Sequence, residues 1–275
     1  MKCFGITDIG KKRNSNQDCF GIKEISESCY IIAVCDGMGG ANGGEIASSK
    51  AIERFFEICE REINIEGSDE DIKSALYYAV DEANALVNSL SISSDELNGM
   101  GTTLVAAVIR DNGLDFDSID YDVKTYNLGA EPTEPSGAST CVGAFVVNVG
   151  DSRAYLFSKG NLTQLTKDHS YVQYLIDIGE LQPEKAAKHP KRNIITKAIG
   201  IEPSVLPDIQ KVLITESDKT YIMLVSDGLY SEIKESDIKK LLNSDKTVEA
   251  KAQSLVDLAN KKGGRDNITV VLVEI

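Results

Sequence analysis

Histidine is scarce in this sequence, which contains only His169 and His189 among 275 residues. A zinc site and a Ser-His-Asp triad both depend on histidine, so neither has much raw material here. The six cysteines are scattered and include no C-x-x-C pair. Because several of them lie within apolar runs, we interpret them as reduced core residues rather than as disulfides or a metal cluster.

Long apolar runs are also missing. None approaches the roughly 20 residues needed to cross a bilayer, and the first residues lack the pattern of a signal peptide. We therefore expect a cytoplasmic protein without a membrane partner. Basic residues are outnumbered, with 29 Lys and Arg against 43 Asp and Glu and a net charge of -14. This balance argues against a nucleic-acid partner, which requires a clustered basic surface.

An apolar run ends abruptly at an Asp-Gly pair in the stretch Tyr30-Ile-Ile-Ala-Val-Cys-Asp36-Gly37-Met38-Gly-Gly. The run predicts a buried strand that delivers the Asp36 carboxylate to the edge of a sheet. The glycines permit a sharp bend, so that the Gly37 carbonyl can join Asp36 around an ion. Taken alone, the motif fits a β-hairpin turn equally well.

The same pattern returns near the other end of the chain, where Tyr221-Ile-Met-Leu-Val-Ser precedes Asp227-Gly228. Two further aspartates, Asp151 and Asp266, also lie at the ends of apolar runs. If these strand ends converge, several carboxylates share a small volume and need a compensating cation. Oxygen ligands with almost no histidine or thiolate nearby indicate Mg²⁺ or Mn²⁺ rather than Zn²⁺ or Cu²⁺.

A short polar loop, Arg13-Asn-Ser-Asn16-Gln17-Asp18, separates two predicted strands at 3–9 and 19–26. Arg13 can hold a phosphate dianion through paired N–H donors, and Asp18 can orient a metal-bound water. The alternative is a solvated turn with a surface ion pair. The position of the loop, one strand before Asp36, favours the functional interpretation.

Apolar residues recur at helical spacing in four segments, which we expect to cover the sheets as helices. These segments are 45–58, 69–90, 234–242 and 248–262. Residues 207–214 and 219–225 are predicted to pair as a β-hairpin that ends at Asp227. The Gly101-Thr-Thr103 string has no following lysine and no helical pattern, so it predicts close backbone packing rather than a phosphate loop.

Three segments after residue 110 carry distinct patterns. Asp168-His169-Ser170 is expected to cap a helix over 171–179, with His169 as a general acid as the alternative. Residues 181–192 carry two prolines and four basic residues, and they predict a short basic helical excursion that can meet a phosphorylated segment. Residues 111–139 carry seven acids and one lysine, which predicts a surface loop or a partly ordered hairpin.

The motifs gain specificity from their order along the chain. They are Arg13-x-x-Asn16-Gln17-Asp18, Asp36-Gly37-Met-Gly-Gly, Gly101-Thr-Thr103, Gly150-Asp151-Ser-Arg153, Asp168-His-Ser170, Asp227-Gly228 and Arg265-Asp266-Asn267. This ordered set resembles the PP2C (PPM) family of metal-dependent protein serine/threonine phosphatases, and its bacterial branch most of all. The resemblance implies an α+β fold, a four-layer α-β-β-α sandwich with two central antiparallel sheets and a small helical flap.

The resemblance also implies the domain organisation, because it extends over essentially the whole chain. We expect a single phosphatase domain over residues 1–275. Within it, the acidic stretch at about 111–139 is interpreted as an insert without a recognised counterpart. The segment at about 170–200 is interpreted as the flap.

Roles of individual residues follow from the same resemblance. Asp36 resembles the ligand that bridges two catalytic metals, with the Gly37 carbonyl on the second metal. Asp227 and Asp266 resemble ligands of the first metal. Asp151, together with Asp227, resembles the third-metal site of bacterial members.

Other positions resemble supporting residues of the family or depart from it. Arg13 resembles the phosphate-binding arginine, Asp18 an acid that acts on a metal through water, and Asn267 a support of the neighbouring metal ligand. Met38 stands where many eukaryotic members have a histidine proposed as general acid, so a metal-bound water would have to protonate the leaving group. Gln17 replaces an acid that is often found there.

The predicted activity is hydrolysis of phosphoserine and phosphothreonine by a metal-activated water, without a phosphoenzyme. We expect two catalytic Mn²⁺ or Mg²⁺ ions and a possible third site. The expected partners are phosphorylated proteins and an opposing Ser/Thr kinase, and the expected state is a monomer. The alternatives are a non-catalytic phosphoprotein-binding pseudophosphatase and a two-metal nuclease, which the acidic composition disfavours.

Overall fold

The computed structural model describes residues 1–39, 43–114, 124–125, 141–215 and 219–275. In chain order the strands are β1 (Lys2–Asp8), β2 (Asp18–Ser26), β3 (Cys29–Met38), β4 (Gly101–Thr102), β5 (Leu104–Leu114), β6 (Lys124–Thr125), β7 (Cys141–Val149), β8 (Arg153–Ser158), β9 (Asn161–Gln164), β10 (Asp208–Thr215), β11 (Tyr221–Val225) and β12 (Ile268–Glu274). The helices are α1 (Gly43–Glu62), α2 (Asp69–Ser93), α3 (Tyr171–Asp177), α4 (Pro183–Ala186), α5 (Asp227–Tyr230), α6 (Glu235–Leu242) and α7 (Val248–Lys262).

These strands form two sheets. The five-stranded sheet has the order β1-β12-β11-β8-β9, and the seven-stranded sheet has the order β2-β3-β5-β7-β10-β6, with β4 paired to β3. The described strand pairs are antiparallel apart from the short pair of β10 and β6.

Alternation along β3 explains why its sheet lies between two layers. Ile31 and Ala33 pack in the core that includes α1 and α2, whereas Ile32 and Val34 pack in the core between the two sheets. Successive side chains of a strand point to opposite faces, so a strand covered on both faces is apolar at every position. The unbroken apolar run before Asp36 is the sequence signature of this arrangement.

The five-stranded sheet is covered in the same way. Ile222 and Leu224 of β11 pack between the sheets, while Met223 packs with Ala252 and Leu255 of α7 on the outer face. The layers are therefore a helix pair, two sheets and a second helix pair. The predicted α-β-β-α sandwich is confirmed.

The end of α7 turns the chain toward Asp266. The Gly263 N–H donates to the Ala259 and Asn260 carbonyls, and the Gly264 N–H also donates to Ala259. Gly264 has a φ of 56°, a left-handed conformation in which glycine is favoured at a helix end. The chain then passes directly into Asp266 and β12.

The predicted hairpin of residues 207–214 and 219–225 is wrong. β10 pairs with β7 and β6 in the seven-stranded sheet, whereas β11 pairs with β8 and β12 in the five-stranded sheet. Both strands are apolar and close in sequence, which favours a hairpin on local grounds. However, each strand already has neighbours on both of its hydrogen-bonding edges. Strand pairing within each sheet therefore overrides proximity in sequence.

Two other predicted segments have different outcomes. The acidic stretch at about 111–139 lies largely outside the described residues. The segment at 170–200 contains the short helices α3 and α4, and the Ser170 side chain caps α3 by accepting from the Gln173 N–H, as predicted.

Within the described ranges, no helix is both long enough and apolar enough to span a membrane.

Candidate active site

Four aspartates from distant parts of the chain interact in one cleft. Asp151, Asp227 and Asp266 line a single cavity. The Asp36 carboxyl interacts electrostatically with Asp227, Asp151 and Asp266. The fold therefore brings these strand-end acids to one cleft, and their role as metal ligands stays a prediction.

The backbone of Asp36 is clamped by the Gly101-Thr102-Thr103 string. The Asp36 N–H donates to Thr103 Oγ1 at 2.9 Å, and the Asp36 carbonyl accepts from the Thr103 N–H and from Thr102 Oγ1, each at 2.9 Å. Thr103 Oγ1 also bonds to Ser152 Oγ at 2.7 Å, next to Asp151. The threonines thus join the segments carrying two site acids, and the string packs closely instead of forming a phosphate loop.

Glycine is required next to Asp36. A Cβ on Gly37 would lie 2.0 Å from the Gly44 carbonyl oxygen, and a Cβ on Gly44 would lie 2.8 Å from the Gly37 carbonyl oxygen. The Gly37 N–H donates to the Gln17 carbonyl at 3.0 Å. The Asp-Gly motif is therefore a point of close backbone approach between β3, the start of α1 and the loop before β2.

Asp18 lies across from Asp36 in the β2–β3 pair and is buried. Its Oδ2 accepts from Ser226 Oγ and from Thr269 Oγ1, both at 2.7 Å. The sequence interpretation missed these two hydroxyl residues. The sequence contained a sign of each residue, because Ser226 directly precedes Asp227 and Thr269 interrupts the apolar run of β12.

Asp151 is supported through its backbone and through a neighbouring arginine. The Tyr230 hydroxyl donates to the Asp151 carbonyl at 3.0 Å, and the Arg153 guanidinium lies 3.7 Å from the centre of the Tyr230 ring. Arg153 also donates to both carboxylate oxygens of Asp168, at 2.9 and 2.7 Å. Because Tyr230 belongs to α5, this stack fixes the Asp151 turn against the short helix that begins at Asp227.

Asp266 contacts the predicted phosphate-binding arginine. Arg13 Nη2 donates to Asp266 Oδ2 at 2.7 Å, while Asp266 Oδ1 accepts from the Asn267 N–H at 2.9 Å. A Cβ on Gly228 would lie 1.9 Å from the Asn267 carbonyl oxygen. This close approach presses the second Asp-Gly motif against the Asp266 segment.

The side chain of Asn267 holds the loop that carries Arg13. Its Nδ2 donates to the Ile9 and Ser15 carbonyls at 2.9 and 3.0 Å, and its Oδ1 accepts from the Gln17 N–H at 2.8 Å. The contact of Asn267 with Asp266 is made by the backbone. Asn267 therefore positions the Arg13 loop relative to the β12 end of the cleft.

His169 is engaged structurally in the same region. Its Nδ1 accepts from the Gly150 N–H at 3.0 Å, so Nε2 carries the proton and faces Asp208 Oδ2 at 3.2 Å. Burial lowers the pKa of His169, and the nearby Lys197 ammonium lowers it further. These contacts make His169 a tie between the Asp151 turn and the segment that leads to β10.

Burial and mutual repulsion raise the pKa values of the clustered acids. Burial, followed by repulsion from Asp18 and Asp227, raises the pKa of Asp36 well above its usual range. Burial and then the charge of Asp266 raise the pKa of Asp227 to about 6, although the hydrogen bond with Asp36 opposes the shift. Burial raises the pKa of Asp18 to about 7, and burial raises that of Asp151 to about 7 as well.

The donor atoms of the cleft fit a hard divalent cation. Asp18 Oδ1 and Asp227 Oδ1 are buried and have no hydrogen-bond partner, and such atoms are costly unless something satisfies them. The candidate ligands are all oxygen atoms, which suits Mg²⁺ or Mn²⁺. Over the ranges described, no three His, Cys, Asp or Glu side chains already form a compact cation-binding group.

The cleft continues into a cavity of about 610 Å³. Asp151, Asp227 and Asp266 line this cavity together with residues of the segment around α4, including Pro183 and Arg192. The segment predicted as a flap therefore lines the same cavity as the acids. This volume lies within the range of small-ligand sites.

Known proteins are similar to this chain in both sequence and fold. A family model described as protein phosphatase 2C matches residues 10–119. The serine/threonine phosphatase Stp of Listeria monocytogenes is 35% identical over 268 residues, which cover 98% of this chain and 93% of the relative. The chain belongs to the protein phosphatase 2C family.

Two further phosphatases show the same agreement over full length. The protein phosphatase PhpP of Streptococcus pneumoniae is 33% identical, covering 100% of this chain and 98% of the relative. The crystal structure of the serine/threonine phosphatase Stp1 from Staphylococcus aureus superposes with a TM-score of 0.81 at 30% identity, covering 100% of this chain and 94% of that one. The family predicted from the motif order is thus confirmed.

Proposed function

We propose that this protein hydrolyses phosphoserine and phosphothreonine in protein substrates, with Asp36, Asp227 and Asp266 as ligands of divalent cations. The chain is a protein phosphatase by its family membership, and the family is metal-dependent. The observation that supports the proposed site is the meeting of aspartates in one cleft, where two carboxylate oxygens, Asp18 Oδ1 and Asp227 Oδ1, are buried and unsatisfied.

The proposed ligand set extends the family assignment to individual atoms. Asp36, Asp227 and Asp266 would hold two catalytic Mn²⁺ or Mg²⁺ ions, with the Gly37 carbonyl as a further ligand. Asp151 and Asp227 would hold a third ion. When bound, these ions supply positive charge to the phosphoryl oxygens and lower the pKa of water, so that water becomes an effective nucleophile near neutral pH.

The remaining polar residues would bind and orient. The Arg13 guanidinium would bind the phosphoryl oxygens through paired N–H donors as their charge redistributes. Asp18, fixed by two hydroxyl groups, would orient water at the cleft. Asn267 would hold the Arg13 loop in place.

The cysteines are poorly suited to covalent catalysis. Burial raises the pKa of Cys3 to about 12 and that of Cys35 well above its usual range, so these thiols stay protonated at neutral pH. Five cysteines have free thiols in the described part of the chain. Direct attack by water, without a phosphoenzyme, fits the low reactivity of these thiols. We propose the cytoplasm as the location, because free thiols are typical of that compartment.

The proposal extends to organisation and partners. The proposed site residues all come from one chain, which suits the single domain over residues 1–275 and a monomer. The segment at 170–200 would act as a flap over the cavity. Phosphoprotein substrates imply an opposing serine/threonine kinase that forms them.

Hydrolysis of a phosphothreonine peptide, followed during titration with Mn²⁺, tests the proposed function. We expect turnover that rises with Mn²⁺, is lost with a chelator and returns on addition of excess Mn²⁺. A nuclease control under the same conditions should show no cleavage of DNA or RNA. Peptide binding without hydrolysis at any metal concentration would instead support the pseudophosphatase alternative.

Replacement of Arg13 tests the proposed phosphate contact. We expect Arg13→Ala to lower kcat/KM for the peptide by about tenfold to a hundredfold, because a charge-assisted bond to the phosphoryl group is lost. Arg54→Ala is a matched control, since Arg54 also pairs with carboxylates but lies on α1. Equal kcat/KM values for the two variants would remove Arg13 from the phosphate site.

A further inference from the structure

Besides Arg13, a second cationic side chain, that of Arg265, lies next to the clustered aspartates and is held by the buried carboxylate of Glu232. Arg265 Nε donates to Glu232 Oε1 at 2.6 Å, and Arg265 Nη2 donates to Glu232 Oε2 at 3.3 Å. The side chain of Glu232 is 2% exposed, whereas that of Arg265 is 67% exposed. The guanidinium is therefore bonded to the protein on its Nε side and remains largely open to solvent.

Arg265 lines the same cavity as Asp227 and Asp266. At about 610 Å³, this cavity has room for much more than a phosphoryl group. Residues of a substrate that flank the phosphorylated side chain would therefore lie against its walls. Arg265 would be one of the first cationic groups that they meet.

A further arginine on the cavity wall, Arg153, is already occupied. Arg153 donates to both oxygens of Asp168 and stacks on Tyr230, so its donors serve the protein itself. Arg265 differs because only its Nε side is used. A guanidinium held in place loses less conformational entropy on binding, and it can form paired bonds with a carboxylate or a phosphate.

We propose that Arg265 determines substrate preference by binding an anionic group, either a carboxylate or a second phosphate, next to the phosphorylated residue. This proposal rests on the proposed phosphatase function. The net charge of -14 makes a preference for acidic peptides unexpected without such a group, because the field of the whole protein repels acidic peptides. A preference for acidic flanks requires a local cation that overcomes this field.

Three phosphothreonine peptides of equal length provide the test. They carry glutamine, glutamate or a non-hydrolysable phosphonate at the positions beside the phosphothreonine. For the wild-type protein we expect kcat/KM to be about fivefold higher for the anionic peptides than for the glutamine peptide, mainly through KM. Preference for the phosphonate peptide alone would assign a second phosphate as the ligand. Equal preference for both anionic peptides would assign a carboxylate as sufficient.

The variant Arg265→Gln should bring this ratio close to one. Arg61→Gln should keep the wild-type ratio, since Arg61 is also exposed and also donates through Nε to a carboxylate, but on α1. Should Arg265→Gln unfold, Arg265→Lys keeps the positive charge, loses the two-point bond to Glu232 and is expected to lower the ratio to about twofold. The thermal unfolding midpoint of each variant is measured together with its kinetics, so that a loss of fold is recognised.

The possible failures are distinguishable. A wild-type ratio of one, or an Arg265→Gln variant that keeps the full ratio, would overturn the role of Arg265 while leaving the phosphatase function intact. Failure of the wild-type protein to hydrolyse any of the three peptides with Mn²⁺ would instead count against the proposed function itself.

Discussion

The Asp227→Asn variant is expected to lose about a thousandfold in Mn²⁺-dependent turnover of a phosphothreonine peptide. The amide keeps the shape of the side chain but removes the negative charge that would hold a cation. Asp227 Oδ1 is buried and without a hydrogen-bond partner, so this oxygen is available to bind a cation. The loss should therefore appear in kcat as well as in metal affinity.

The fold of this variant should remain intact. Removing one charge relieves repulsion with Asp266, which helps to raise the pKa of Asp227, so the metal-free variant should unfold at a temperature equal to or above that of the wild type. Asp257→Asn is the matched control, because Asp257 is an exposed residue of α7 that accepts a hydrogen bond from Gln253. Wild-type turnover by Asp227→Asn would refute the assignment of this residue.

The metal-free protein should lose stability as the pH rises from about 4 to 7. Burial raises the pKa values of Asp18, Asp151 and Asp227 to about 7, 7 and 6 in the folded state, whereas an unfolded aspartate titrates near 4. Between these values the folded state binds more protons than the unfolded state, so lower pH favours folding. Asp151 alone contributes on the order of 3 kcal/mol to this difference.

Thermal unfolding of the chelator-treated protein measures this effect. We expect the midpoint at pH 5 to exceed that at pH 8 by roughly 5 to 10 °C. Adding Mn²⁺ at pH 8 should restore stability, because a cation compensates the same charges. Asp18→Asn should show a smaller pH dependence than the wild type. A midpoint that rises with pH in the metal-free protein would show that the acids are not buried together.

The apolar runs predicted the layers because burial on both faces leaves a direct trace in sequence. β3 and β11 are apolar at nearly every position, and each run ends next to an aspartate. The sequence therefore indicated both the buried strands and the side chains at their ends. The four helices that cover the sheets followed from apolar spacing for the same reason.

Strand partners could not be predicted in this way. β10 and β11 are neighbours in sequence, yet they belong to different sheets. An apolar strand can pair with any other apolar strand, and the choice depends on which sheet edges the whole fold leaves open. Local patterns carry no information about those edges.

The supporting residues of the cleft were also beyond local patterns. Tyr230 contacts the Asp151 carbonyl across 79 residues of sequence, and Thr269 contacts Asp18 across 251. A tyrosine in a short helix and a threonine in a buried strand have ordinary structural uses. Their roles are visible only once the two sheets bring these segments together.

Under the proposed function, carboxylates from distant segments jointly hold divalent cations in the cleft. Anomalous diffraction from crystals of the wild-type protein grown with Mn²⁺ would locate these cations. We expect manganese peaks in contact with Asp36, Asp227 and Asp266. Manganese bound elsewhere, with these three carboxylates free of any ion, would contradict this expectation.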